Sequence, residues 1–456
     1  MTQKFLPRLS RFARRLAVLG LFLCLLLSTA AAQADMRFIR DQETEDALHL
    51  FARPIFQQAG LTPSSVRFIL VEDDTLNAFV AGGQNMFFHT GLLLETSDIA
   101  ELLGVIAHET GHIASGHLFR TQTAMDDISM QSMLISILGL AAAIGARSGE
   151  GAGAAMTAGS TFAQRSFLKH SRVQESAADQ AGVRYLKDAH LPLDGFLSFM
   201  GKLSAQELLP ESQQSEYVRT HPLTRDRIDF LQTAVNQQRR KDPVPPEWIE
   251  THKRIRAKLF GYLFPERAVN DKGTDIASRY GRTIALYRRG RTAEALAETD
   301  RLIALEKNNP WFHELKGQIL FENGQVAESV APYKTAVTHA PHSGMIRAAY
   351  AHALMESSRN DDKAALQEAV SQLKTSLRTE PYQARTHRLL ATAYGRLGQD
   401  GMSHLHLAEE AFIRGNYAFA RREIILAQKS LPKNSPAWLR ADDIQAEIRK
   451  KEQKKN

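Results

Sequence analysis

Five consecutive residues, His108-Glu109-Thr110-Gly111-His112, carry the clearest chemical signal in the chain. On a helix, positions i and i+4 lie one turn apart on the same face, so both imidazoles can reach one cation. Glu109 projects beside them, where its carboxylate can polarise a metal-bound water. Zinc lowers the pKa of such a water from ~15.7 towards ~7, so that hydroxide can attack a peptide carbonyl. The spacing predicts one zinc per chain, with His108 and His112 as ligands and Glu109 as catalytic base.

A peptidase zinc needs a third protein ligand and an open fourth position. A histidine six residues beyond His112 would fall at Leu118, and His117 is one residue short, so the metzincin spacing fails. The run Glu175-Ser176-Ala177-Ala178-Asp179 fits better. Glu175 would close a His-His-Glu site from a second helix, and Asp179, one turn later, could accept the outer N–H of a ligand imidazole and fix its tautomer. The two alanines let that helix approach the first closely. The chain's only cysteine, Cys24, lies in an apolar N-terminal run, so thiolate ligands and disulfides are not expected in the mature chain.

The elements that must position these groups can be read from periodicity. Leu102–Ser115 and Ala163–Leu186 read as helices, and Val66–Val71 and Met86–His89 as strands, with turns at Glu72–Thr75 and Gly82-Gly83. Residues 35–237 therefore read as a mostly helical domain with a short strand region. Residues 238–274 are a connector, opened by Pro243, Pro245 and Pro246. Within it Trp248–Leu263 is amphipathic, with Ile249, Ile255, Leu259 and Tyr262 apolar, and is expected to pack between the units on either side.

Residues 275–456 read as a tetratricopeptide solenoid. Gly290 and Gly324 are separated by the 34-residue period of that repeat. The last unit is the clearest, with Gly415, Tyr417, Ala420, Ile424, Ala427 and Pro432 in order. Extra residues near Asn360–Lys363, and the short interval from Gly398 to Gly415, suggest helices shared between neighbouring frames. The concave face of such an array typically binds polypeptide.

Composition, 43% hydrophobic and 23% charged, supports packed cores and excludes wholesale disorder. The net charge of +7 is no argument for nucleic acid: residues 1–34 carry Lys4, Arg8, Arg11, Arg14 and Arg15 and no acidic group, which leaves the remainder nearly balanced. Those residues read as an export signal, with an apolar run from Leu16 to Leu27 and cleavage expected after Ala32-Gln33-Ala34. Ile128–Ala146 is marginal in length for a membrane span and is diluted by Ser129, Gln131, Ser132 and Ser136. It reads as a helix and loop near the cleft, a candidate for peripheral contact with membrane or substrate.

Together these motifs resemble the BepA/YfgC group of bacterial periplasmic metalloproteases, relatives of HtpX and the CAAX prenyl proteases. The resemblance covers both domains and the order of the motifs. It implies a gluzincin-like α+β peptidase domain ahead of the repeats, zinc-dependent endopeptidase activity in the periplasm, and quality control of outer-membrane proteins alongside their assembly machinery. By the same resemblance, the segment Asn77-Ala78-Phe79-Val80-Ala81-Gly82-Gly83 would form a substrate-side strand. His221-Pro222, followed by Arg227-Ile228, matches the group's His-Pro motif in a loop facing the site. His221 would take zinc's fourth position as a latch, or else bind substrate or cap a helix. No oxyanion-stabilising residue stands out; Arg254 or Arg256 of the connector is a guess. The alternatives to an active endopeptidase are a mostly latent one that works as a chaperone or adaptor through its repeats, and a membrane-embedded protease of the HtpX kind.

Overall fold

The computed structural model describes residues 37–116, 172–207, 210, 214–359 and 362–453. The expected signal (1–34), His117, the stretch Ile128–Ala146 and the first part of the Ala163–Leu186 helix lie outside the described residues.

The N-terminal unit begins with strand β1 (Phe38–Ile39) and helix α1 (Gln42–Gln58). Asp41 caps α1 by accepting from the Thr44 amide, and the helix buries Leu48, Phe51, Ile55 and Phe56 at helical spacing. Strands β2 (Arg67–Val71), β3 (Ala78–Ala81) and β4 (Asn85–His89) complete a mixed sheet of order β1-β2-β4-β3. β2 runs parallel to β4, with Leu70 opposite Phe88, while β3 pairs antiparallel with β4, with Val80 opposite Met86. β3 is thus an edge strand. The two strands read from sequence are present, each starting one residue from its expected first residue; β1 is too short for its pattern to be visible.

After the short helix α2 (Thr90–Glu95), Asp98 caps α3 (Ile99–Ala114) by accepting from the Ala100 amide. α3 is buried from Ile99 to Gly111, which is why its sequence is apolar all round rather than on one stripe. Residues 172–188 form helix α4, and α5 (Asp194–Glu207) packs across α3. Glycines allow these crossings: a Cβ on Gly104 would come 2.6 Å from Phe196 Cα, and one on Gly111 would come 2.8 Å from the Ala178 carbonyl oxygen. Helices α6 (Glu216–Thr220) and α7 (Arg225–Asn236) close the unit.

The connector forms helix α8 (Pro246–Leu263) and the short α9 (Pro265–Ala268). Ile255 and Leu259 are buried as expected, whereas Ile249 is 40% exposed. α8 lies between the units. Lys258 pairs with Asp41 at the start of α1, and on its other side Gly261 faces Gly281 so closely that a Cβ would meet the Gly281 oxygen at 2.4 Å.

The repeats run as helices α10 (Ile276–Arg288), α11 (Thr292–Leu305), α12 (Pro310–Glu322), α13 (Val326–His339), α14 (Gly344–Ser357), α15 (Lys363–Thr379), α16 (Ala384–Arg396), α17 (Asp400–Ile413), α18 (Tyr417–Ser430) and α19 (Pro436–Gln453). Gly290 and Gly324 turn the first two pairs with φ of 72° and 82°, a conformation that disfavours any side chain. Gly398 and Gly415 bracket α17, so this helix closes one pair and opens the next, the frame-sharing expected from their short spacing. Ala420, Ile424 and Ala427 lie on the buried face of α18. Among the described residues, no helix is long and apolar enough to cross a membrane.

Candidate metal centre

α3 brings His108, Glu109 and His112 to one turn of buried helix, and α4 crosses it where Gly111 and Gly182 leave no side chain in the way. That crossing delivers Glu175. His221 arrives from the C-terminus of α6, held by its amide donating to the Tyr217 oxygen (2.7 Å) and followed by Pro222, which ends the helix.

Four side-chain donors then converge: His108, His112, Glu175 and His221 offer ligand atoms all within 4.8 Å of one another. His108 Nε2 lies 3.1 Å from His112 Nε2, 3.3 Å from Glu175 Oε2 and 3.3 Å from His221 Nδ1. Glu175 Oε1 is 3.4 Å from His112 Nε2, and Oε2 is 3.1 Å from His221 Nδ1. Ligands ~2.0–2.1 Å from a tetrahedral centre are separated by ~3.3 Å, so spacings of this size suit donors that share one cation. Nitrogen lone pairs facing each other across such distances repel unless a cation or a proton lies between them. The donor set, three imidazoles and one carboxylate, fits a borderline divalent ion of the zinc type.

The surrounding groups fix these donors. His108 Nδ1 donates to Asp179 Oδ1 (2.9 Å), which directs Nε2 at the centre. Arg227 holds Asp179 from the other side, with Nε 2.5 Å from Oδ2 and Nη2 2.9 Å from Oδ1. It also reaches Glu175 Oε2 (3.2 Å) and donates to the Pro222 oxygen (2.9 Å). One guanidinium thus ties Glu175 and Asp179 of α4 to the His221 loop. Burial alone would lower His108, but its bonds to Asp179 and Glu175 outweigh that and raise its pKa to about 10. His112, largely withdrawn from water and beside protonated His108, is pushed down to about 3. Burial disfavours the Glu175 carboxylate, yet His221, His108 and His112 hold it well below the usual range.

Glu109 is fully buried; its Oε1 faces Tyr217 Oη (3.5 Å) and His221 Nε2 (3.7 Å). Its Oε2 has no hydrogen-bond partner among the described residues and so retains capacity for a donor. Burial raises its pKa, the direction that strengthens a base. Tyr217, not singled out from sequence, stacks on the His221 ring with centroids 4.4 Å apart. The signal was present as an aromatic one helical turn before the His-Pro pair, but nothing in the sequence ties that turn to Glu109.

The structure therefore gathers His108, Glu109, His112, Glu175, Asp179, His221 and Arg227 into one cluster. Asn77 lies elsewhere, buried at the start of β3, where its carbonyl accepts from the His89 amide (3.0 Å). Gly82 and Gly83 form the β3–β4 turn, with φ of 58° and 95°. The guess of an oxyanion role for Arg254 or Arg256 is corrected: Arg254 is held by Glu306 (2.6 Å) and Glu250, and Arg256 donates to the Leu94 oxygen (2.7 Å).

The family model for Peptidase family M48 matches residues 40–235. The beta-barrel assembly-enhancing protease of Yersinia pestis is 24% identical over 323 residues, covering 67% of this chain and 64% of that relative. The protein of the same name from Escherichia coli K12 is 25% identical over 294 residues, covering 62% and 59%. The chain spans about three-fifths of the length of these curated relatives. Among solved structures, MamA of Desulfovibrio magneticus RS-1 is 16% identical with a TM-score of 0.31, covering 36% of this chain and 96% of that one.

Proposed function

From the match of residues 40–235 to Peptidase family M48, we propose that this chain is a member of that family and a zinc-dependent endopeptidase acting on envelope polypeptides. The observation that carries this is the convergence of His108, His112, Glu175 and His221, whose ligand atoms all lie within 4.8 Å of one another, with the Glu109 carboxylate beside them. His108, His112 and Glu175 would hold one zinc ion, with Asp179 and Arg227 positioning them. When bound, zinc supplies Lewis acidity and brings a coordinated water towards neutral pKa. Glu109 takes the proton of the attacking water and can return it to the leaving amine. The β3 edge of the described sheet, entered through Asn77 and turned by Gly82 and Gly83, would take the substrate as an added strand through main-chain hydrogen bonds.

Metal content and casein cleavage, with and without chelator, test the reading. Glu109→Gln should keep zinc and abolish cleavage; cleavage that survives it overturns the assignment.

His221 Nδ1, 3.3 Å from His108 Nε2 and 3.1 Å from Glu175 Oε2, is near enough to take the fourth position. In this arrangement it would latch the enzyme, and His221→Ala should raise proteolysis. A fall in activity would sink the latch. The same contact favours a second reading, a mostly latent peptidase that works through its repeats as chaperone or adaptor. That function would survive Glu109→Gln in cells, whereas an endopeptidase function would not. The basic and apolar N-terminal sequence supports export to the periplasm. The likeness to beta-barrel assembly-enhancing proteases supports quality control of outer-membrane proteins, with the repeats recruiting substrate or the assembly machinery.

A further inference from the structure

A cavity of about 590 Å³ opens between the start of α1, the connector helix α8 and the inner helices of the first repeats. Its size is that of a ligand site, and its walls are aromatic: Tyr262, Trp311, Phe321 and Tyr333 all line it. The face of such a ring attracts cations, and Lys258 Nζ already lies over Trp311, 5.9 Å from its centroid.

The lining carries three basic side chains, Arg40, Lys258 and Arg385, against four carboxylates, Asp41, Glu314, Glu322 and Glu380, a surplus of one negative charge. Lys258 is buried there, but its ammonium is engaged by Asp41 at 2.6 Å and Glu43 at 3.0 Å. Glu43 also accepts from Tyr280 Oη (2.9 Å). One cation thus faces two carboxylates before Glu314 is considered. Glu314 lines the same cavity and makes no hydrogen bond or ion pair with the described residues. Burial, and then the nearby Asp41 and Glu43 carboxylates, outweigh Lys258 and push its pKa up to about 7. The space thus combines surplus negative charge, a carboxylate without a partner and π faces, each of which favours a cation.

We infer that this cavity seats the lysine or arginine side chain of a recruited polypeptide, with the cationic head against Glu314 and its aliphatic stem along Trp311 and Tyr333. The site selects basic segments in an extended or unfolded chain. It rests on the recruiting role proposed for the repeats and names the chemistry that role would read.

Calorimetry on the full zinc-loaded chain carrying Glu109→Gln tests this with capped Leu/Ser octapeptides bearing a central lysine, glutamine or glutamate. The lysine peptide should bind about tenfold tighter than the glutamine peptide, the scale of one charge-assisted contact. Glu314→Gln should remove that preference and leave the glutamine peptide unchanged, and Trp311→Leu should weaken the lysine peptide. The peptide series needs no substitution in the cavity, so it decides the question even if a variant misfolds. Equal binding of the three peptides, or a lysine preference that survives Glu314→Gln, overturns the cation site and leaves recruitment by the repeats standing. Failure of all three to bind overturns both. Putrescine binding as tightly as the lysine peptide reassigns the cavity to a small amine and overturns the polypeptide.

Discussion

Asp179 accepts from opposite sides, from His108 Nδ1 at 2.9 Å and from both Nε and Nη2 of Arg227. Replacing it with asparagine keeps the shape but removes the charge that fixes the His108 tautomer. Zinc affinity should fall about 10- to 100-fold, as for other groups that orient a ligand. The proton balance gives a second readout. Without metal, Asp179 and Glu175 hold His108 protonated above its usual range, while burial favours neutral His112 and the imidazoles keep Glu175 ionised. Binding therefore expels about one proton, and the apparent zinc Kd should fall about tenfold per unit rise in pH. In Asp179→Asn that slope should flatten near neutral pH, because the group that raises His108 is gone. Competition with a chromophoric chelator at several pH values measures both, and an unchanged slope in the variant contradicts the assignment. The same shift sets the stability of the metal-free chain. A histidine raised from 6.5 to about 10 stabilises the fold fully below ~6.5 and loses that contribution as pH climbs to about 10.

At the scale of elements, the site depends on how closely α3 and α4 cross. A Cβ on Gly111 would meet the Ala178 oxygen at 2.8 Å and its Cα at 2.9 Å, both backbone atoms that cannot swing away. One on Gly182 would meet the backbone of Ala107 and His108 at 3.2 Å. Gly111→Ala should force the helices apart, at about 1–3 kcal/mol of stability, and carry Glu175 away from the imidazoles. Gly182→Ala should be milder on both counts. Thermal unfolding and zinc stoichiometry of the two variants test the order, and equal effects would mean the crossing is not what positions Glu175. This dependence explains what could be read in advance. His108 and His112, and likewise Glu175 and Asp179, lie four residues apart, so the period of 3.6 placed each pair on one face, with Glu109 at the position next to the first. Tyr217, and the bridging of both carboxylates by Arg227, depend on how α6 and α7 fold back over α4, which no local period encodes. Arg254 and Arg256 failed as oxyanion candidates for the same reason: α8 turns them towards Glu306 and the Leu94 carbonyl.

Across the whole molecule, the peptidase unit and the repeats meet at buried charge. His342 with Asp46, and Arg40 with Glu380, also cross between the units, but His342 is 60% and Arg40 41% exposed, and such pairs contribute little. Lys258 is different: its ammonium, Asp41 and Glu43 are all largely withdrawn from water, and Tyr280 of the first repeat helix donates to Glu43. Lys258→Met fills much the same volume but strands two carboxylates, and breaking a buried pair from one side costs about 3–5 kcal/mol. Glu43 gives the pH sign. Burial already raises its pKa in the presence of Lys258, which opposes the rise, so removing the lysine must raise it further. A carboxyl whose folded pKa lies above its unfolded value favours the fold below that unfolded value and loses the benefit as pH rises. Lys258→Met should therefore lower Tm more at pH 8 than at pH 5. Adding Glu43→Gln should recover part of the loss at pH 8 and little at pH 5. Because the proposed zinc site lies wholly within the N-terminal unit, its stoichiometry should stay at one per chain even as cleavage of the α8–α10 junction in limited proteolysis increases. An equal loss of Tm at both pH values would show that methionine at this position disturbs packing and not charge, and that the buried cluster is not what joins the two units.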